Sequence, residues 1–371
     1  MKKLFSILAI SAFILGIQSC SKEYEENFVD DYKIQDWEIL SKTLNLTSTY
    51  YDYDNPVFSG DPAEITLGRV LFYDENLSDA GEISCASCHK QELAFADDVA
   101  LSVGVRGEET ARNSMALGQF RSFREYYGGS TPLPIFWDGR ASTFHDQMIE
   151  TMSNPVEMDI DINRLVEKVG NKDYYKVLFN DAYGSESVDA EKITTALDQF
   201  MKTLQNSDSK FDEQRQSHNI NSNFSGYSAS ENRGKELFLS SNCNSCHSLE
   251  GTNTVSFASN GLEAAYTDQG QYNATNESSD IGKFKVPKLR NIELTGPYMH
   301  DGRFASIDEV LDFYSSGIQN SNNLDSRLKS GSSPTRFNFT SQDKEDLKAF
   351  FKTLTDRTMP FDPKWSDPYK S

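Results

Sequence analysis

The chain has 371 residues, 37% of them hydrophobic, and a mean hydropathy of -0.58, which suits a soluble body of two domains of about 150 residues each. With 36 Lys and Arg against 56 Asp and Glu the formal charge is -20, which argues against a nucleic-acid partner and favours solubility or the steering of a basic one. Five cysteines are too few for a disulfide scaffold, whereas 24 Phe and 17 Tyr supply bulky groups for packing against large, flat, apolar surfaces.

In chain order, Lys2 and Lys3 precede the apolar run from Leu4 to Ile17, and Ser19 leads into Cys20, the pattern of a secretory leader over residues 1–19. The run is too short for a spanning helix. Ile17-Gln18-Ser19-Cys20 resembles a bacterial lipobox, with Cys20 lipidated as the mature N-terminus; the alternative is an ordinary cleaved leader with an incidental cysteine. Residues 20–60, with Glu23, Glu25, Glu26, Asp30 and Asp31, read as an acidic tether. The chain is then expected to be exported and held at the periplasmic or surface side by lipid alone, with the outer membrane as the expected anchor point.

A first domain is expected over 61–217, closing on the helical stripe Ile193, Leu197, Phe200, Met201 and Leu204, which reads as core. Asn219, Asn221, Asn223 and Gly226 mark 218–228 as a linker. The second domain, 229–362, opens on Ser228 and Glu231 in capping-box spacing ahead of Leu237 and Phe238. Ser306 and Glu309 repeat that spacing before Ile307, Val310, Leu311 and Tyr314, and Leu347, Phe350, Phe351 and Leu354 mark a last helix before a tail at 363–371. No segment shows convincing strand alternation, so the expected fold is all-α, two helical domains with little or no strand.

Cys85-Ala86-Ser87-Cys88-His89 and Cys243-Asn244-Ser245-Cys246-His247 each place two thiols where they can form thioethers with one porphyrin, and a histidine where it can ligate the iron from below. A zinc site and a thioredoxin-like pair are the alternatives. Two copies that use every cysteine except Cys20, in an exported chain, favour two covalent haems c.

Phe136-Trp137-Asp138-Gly139-Arg140, then Gln147, then Asn154-Pro155-Val156-Glu157-Met158 resemble the bacterial dihaem cytochrome c peroxidase and MauG superfamily. So do the run from Lys285 to Asn291 and Pro297-Tyr298-Met299-His300-Asp301-Gly302-Arg303. The resemblance covers roughly Leu67 to Phe351 and implies two cytochrome-c-like domains with Trp137 between their haems. It makes His89 the proximal ligand of a peroxide-binding haem, with Gln147 and Glu157 on the distal side. A carboxylate there can move a proton from one peroxide oxygen to the other while a neutral amide orients the substrate. Taken alone, Glu157 reads as a surface acid after a proline turn; its place ten residues beyond Gln147 in this pattern favours catalysis.

Two departures stand out. Many dihaem peroxidases carry a ligand histidine where this chain has Val105, and valine cannot bind iron, so the first haem is expected to be open without reductive activation. The second haem takes a methionine fourteen residues after the motif histidine in the peroxidases; here that position is Tyr314, a MauG-like arrangement, with Met299 as the alternative ligand and core packing as the alternative role. The resemblance also implies a calcium ion at Asn113, Thr295 and Pro297, although Met115 replaces the proline of that loop pattern. It implies peroxide reduction to water with electrons from a small c-type cytochrome or another periplasmic donor, and allows a homodimer. MauG-like oxidation of a partner protein or small molecule and simple dihaem electron carriage are the competing functions.

Overall fold

The computed structural model describes residues 28–34, 36–54, 58–119, 134–249 and 257–369. The leader, Cys20 and the first part of the expected tether lie outside the described residues.

Each half is built on one crossing of two helices. In the first, Pro62–Tyr73 starts on Asp61, whose carboxylate accepts from the Ala63 amide, and crosses Ala190–Thr203, capped by Asp189. In the second, Ala229–Ser240 crosses Ser341–Lys352, and both start on capping boxes, Ser228 with Glu231 and Thr340 with Asp343. Glycine sets the closeness of each crossing. A methyl group on Gly68 would lie 1.9 Å from the Ala196 carbonyl oxygen, and one on Gly234 would lie 1.8 Å from that of Asp346. One turn on, Phe72 meets Phe200 at 5.3 Å and Phe238 meets Phe350 at 5.5 Å between ring centroids. The two halves therefore repeat one packing unit, Gly68-Arg69 with Phe72 and Gly234-Lys235 with Phe238.

Because backbone, not a flexible side chain, faces each glycine, the helices must separate to admit a methyl. Gly234→Ala is expected to cost about 1–3 kcal/mol or more, read as a lower denaturation midpoint in urea at unchanged slope.

Among the described residues strand is confined to three short antiparallel pairs: 28–33 with 49–51, 257–258 with 284–285, and 329–330 with 333–334. The all-α expectation holds. No described helix is long and apolar enough to cross a membrane.

Three segments expected as spacers pack against the cores. Residues 36–54 and 58–60 are no free tether: Leu40, Leu44, Tyr50 and Tyr53 are buried in the first core, and the Asn45 amide donates to the Pro368 carbonyl at 2.6 Å. The linker 218–228 is likewise packed, with Phe224 and Tyr227 in the second core beside Phe211 of the helix Lys210–Arg215. His218 is half-buried, its ring 5.4 Å from that of Phe224. The tail returns to the first domain, where Met359 and Trp365 are core residues. Tyr73 Oη donates to the Trp365 carbonyl and Arg69 Nε to that of Ser366, both at 2.7 Å. Isolated aromatic and leucine residues in polar surroundings carry no period, so these segments read as spacers although burial of a few large side chains is enough to fix them.

Candidate haem sites and the residues between them

Cys85–Cys88 form a single helical turn, opened by the Ser84 amide donating to Ser87 Oγ at 3.0 Å. The turn sets both thiols ahead of His89, whose Nδ1 lies 2.9 Å from the Phe95 carbonyl. Cys243–Ser245 form a tighter turn, and His247 Nδ1 lies 2.9 Å from the Pro287 carbonyl. A carbonyl can only accept, so Nδ1 carries the proton in both rings and Nε2 keeps its lone pair. Burial holds both imidazoles below their usual pKa, hence neutral, the form that binds metal.

Burial pushes Cys85 and Cys243 up to about 12. Among the described residues no disulfide joins the motif cysteines and no cluster of three or more His, Cys, Asp or Glu could hold a bare metal ion. An apolar cavity is lined by Cys243, Cys246 and His247 together with Met299, Tyr314 and Phe351. Two thiols, one neutral imidazole and an apolar cavity suit a covalently held haem.

Gln147 and Glu157 are connected through Thr151. Gln147 sits on the helix Phe144–Ser153 and its Nε2 donates to Thr151 Oγ1 at 2.9 Å, while the Thr151 hydroxyl also hydrogen-bonds Glu157. The chain turns at Asn154, whose Nδ2 donates to Glu157 Oε1 at 2.7 Å and whose Oδ1 accepts from the Val156 amide at 3.0 Å. Burial raises the Glu157 carboxyl above its ordinary value, against hydrogen bonding from Asn154 and the Arg140 charge. Glu157 is also an electrostatic neighbour of Cys88. Thr151 and Asn154 lay within the recognised segment but gave no signal of this role.

Val105 is placed beside this group. Its amide donates to the Glu157 carbonyl at 2.8 Å, and a methyl on Gly104 would lie 1.7 Å from the Val156 carbonyl oxygen. The loop that lacks the histidine is thus sewn to the segment carrying Glu157.

Trp137 joins the halves. Its indole Nε1 donates to the Asn113 carbonyl, and its own carbonyl accepts from the Lys285 amide, each at 2.8 Å. Beside it, Arg112 bridges Asp138 at 2.6 Å and Asp268 at 2.7 Å. His300 is buried, stacked on Phe284 at 3.7 Å, and its carbonyl accepts from the Asn113 amide at 2.8 Å. Desolvation lowers Lys285 to about 8, its Nζ donating to the Pro134 carbonyl at 2.8 Å. Asn113, Thr295 and Pro297 line the same cavity as Trp137; the Asn113 Nδ2 donates to the Val99 and Ala100 carbonyls, which makes Oδ1 the end a cation would take.

Tyr314 lies on a π turn, Phe313–Gly317, that extends the helix Ile307–Asp312. Burial pushes its phenol up, and a hydrogen bond from Asn260 opposes this. Asn260 also donates from Nδ2 to Met299 Sδ at 3.6 Å, so both ligand candidates meet one amide. Asn260 falls in the stretch 251–282, rich in Asn, Ser and Gly, where no motif marks it.

These features fit a c-type cytochrome, and relatives narrow the class. Residues 62–219 match the family model for di-haem cytochrome c peroxidase and 231–355 that for cytochrome c. Cytochrome c551 peroxidase of Nitrosomonas europaea is 33% identical over 259 residues, 68% of this chain and 72% of that protein. Methylamine utilization protein MauG of Methylorubrum extorquens is 30% identical over 299 residues, 79% and 78% of the two chains. The crystal structure of a MauG-like protein associated with microbial copper homeostasis matches with a TM-score of 0.69 at 30% identity, over 87% of this chain and 97% of that one. The dihaem peroxidase BthA of Burkholderia thailandensis shares the fold, with a TM-score of 0.61 at 21% identity over 91% and 96%. The chain belongs to the dihaem cytochrome c peroxidase and MauG family, whose members are oxidoreductases with covalently bound c-type haem.

Proposed function

We propose that the protein reduces hydrogen peroxide to water at the haem held by Cys85, Cys88 and His89, using electrons that a small c-type cytochrome delivers to the haem held by Cys243, Cys246 and His247. The observation that carries this reading is the group Gln147, Thr151, Glu157 and Asn154, a half-buried carboxylate held by neutral donors near Cys88. When bound, the haems supply the iron that takes up peroxide and the electrons that reduce it.

Glu157 accepts the proton of the peroxide oxygen nearest the iron and returns it to the far oxygen, which leaves as water. Asn154 and Thr151 fix the carboxylate for both transfers. Gln147 orients the substrate. Val105 leaves the substrate side without a protein ligand, so no reductive opening is needed. Trp137 links the two haem environments through its bonds to Asn113 and Lys285 and serves as the electron conduit. A calcium ion at Asn113, Thr295 and Pro297 would hold the two halves together, and the leader with Cys20 would place the protein on the periplasmic side, anchored by lipid.

Steady-state oxidation of reduced cytochrome c on peroxide addition tests the reading; absence of turnover would overturn it. A second reading, MauG-like oxidation of a partner, is favoured by Val105 and Tyr314, and it predicts a modified aromatic side chain on a co-purified protein instead. A pure electron carrier has no use for the Glu157 group. For the second haem we take Tyr314 as the sixth ligand. Tyr314→Phe is then expected to abolish the phenolate-to-iron charge-transfer absorption of the ferric protein while leaving the His89 haem signals in place, as read by optical and electron paramagnetic resonance spectra.

A further inference from the structure

A phenol that loses an electron becomes a strong acid, so it gives the electron up readily only where a base stands ready for its proton. Tyr53, Tyr73 and Tyr298 donate to backbone carbonyls, which cannot hold one. Tyr175 is placed differently. It is 0% exposed, and its Oη donates at 2.7 Å to Oδ2 of Asp74, a carboxylate 2% exposed. The other oxygen of Asp74 accepts from the amide and the Nδ2 of Asn76, at 2.8 and 2.7 Å. Burial holds the Tyr175 phenol well above its usual pKa, so it keeps its proton until it is oxidised.

The pair connects the first haem site with an open cleft. Asp74 ends the helix Pro62–Tyr73, in which the Phe72 ring meets that of Phe95 at 5.9 Å, and the Phe95 carbonyl is the one that holds His89 Nδ1. Tyr175 also touches two further tyrosines. Its ring centre lies 4.6 Å from that of Tyr174, and its Oη lies 3.5 Å from the Oη of Tyr369. Tyr174 and Tyr369 in turn line a cleft of about 920 Å³ together with Ile39, Val177 and Asn180. Apolar side chains beside an amide suit a flat, uncharged ring that bears a hydroxyl.

From this arrangement we propose that Tyr175 and Asp74 form a second oxidation site, which takes electrons one at a time from a small phenolic reductant in the cleft and passes them to the first haem once peroxide has oxidised it. Tyr175 gives an electron to that haem and its phenolic proton to Asp74 Oδ2, which leaves a neutral tyrosyl radical beside a protonated carboxyl. The reductant then supplies one electron through Tyr174 or Tyr369 and releases its own proton to solvent. Asp74 returns the proton, Tyr175 is restored, and the reductant leaves as a phenoxyl radical. Two such cycles reduce one peroxide without an electron from the second haem. The inference rests on the reading of the first haem as the peroxide site.

The test uses the haem-loaded full chain. Mixed with peroxide in the absence of any donor and freeze-quenched, the unmodified protein should show a tyrosyl radical by electron paramagnetic resonance, and Tyr175→Phe and Asp74→Asn should each lose it. Asparagine still accepts from the Asn76 amide as a cap but cannot take up the phenolic proton, so Asp74→Asn carries the test if Tyr175→Phe loads haem poorly. With guaiacol as the reductant, peroxide-driven oxidation should be lost in both variants while oxidation of reduced cytochrome c persists, a split that a general loss of packing would not give. A radical absent from the unmodified protein, or still present in Tyr175→Phe, overturns the second site and leaves peroxide reduction at the first haem in place. Failure of the unmodified protein to turn over peroxide with either donor overturns the reading of the first haem and this inference with it.

Discussion

Glu157→Gln is expected to lower kcat for peroxide reduction at least 100-fold, about 2.7 kcal/mol of barrier, the effect of removing a positioned acid-base group. Glutamine is isosteric and keeps an oxygen for the bond from Asn154 Nδ2, so the turn at 154–157 persists while the proton acceptor is lost. The pH dependence is a second signature. Burial raises the Glu157 pKa, and only the ionised form can take the first proton. The rate in the unmodified protein should therefore rise with pH through a pKa above the ordinary carboxylate value, a limb the Gln variant should lack. Steady-state rates across pH check both; a variant within threefold of the parent at every pH would remove Glu157 from the chemistry.

Arg290→Met is expected to cost about 3–5 kcal/mol of stability, because it strands a buried carboxylate. Arg290 is 4% exposed and Asp212 9%, and Nη1 meets Asp212 Oδ2 at 2.8 Å. The guanidinium also donates to Ser209 Oγ and to the Leu249 carbonyl, both at 3.2 Å, and lies 4.9 Å from the Phe211 ring centre. Asp212 Oδ1 has no partner among the described residues, and besides Arg290 the Oδ2 accepts from neutral donors, the Ser209 hydroxyl at 2.6 Å and amide at 3.3 Å. Arg290 follows Pro287 by three residues, so loosening it also loosens the carbonyl that orients His247. Urea unfolding followed by haem absorbance measures the loss. The double variant Arg290→Met with Asp212→Leu should recover most of it, since removal of both charges leaves nothing unpaired; equal instability in single and double variants would mean that packing, not charge, is lost.

The parts of this fold that were legible in the sequence are those that local chemistry dictates. The capping boxes at Ser228 and Ser306 form as spaced, the stripe Ile193, Leu197, Phe200 is buried core, and both Cys-X-X-Cys-His units fold into turns that present a histidine. Gln147 and Glu157 were found through resemblance, and their juxtaposition depends on Thr151 and Asn154, ordinary polar residues until the helix ends and the chain turns. The carbonyls of Phe95 and Pro287 left no trace, because every residue has one. The close crossings at Gly68 and Gly234 were missed for a related reason: a glycine in a helix pattern reads as a weak point until a second backbone is seen against it.

The central claim is that the two haem sites differ, one open beneath Gln147 and Glu157, the other closed by a protein ligand. Electron paramagnetic resonance of the oxidised holoprotein tests it most directly. The account predicts one high-spin ferric haem and one low-spin ferric haem in equal amounts, with the high-spin signal alone perturbed by Glu157→Gln; two low-spin haems in the resting protein would contradict it.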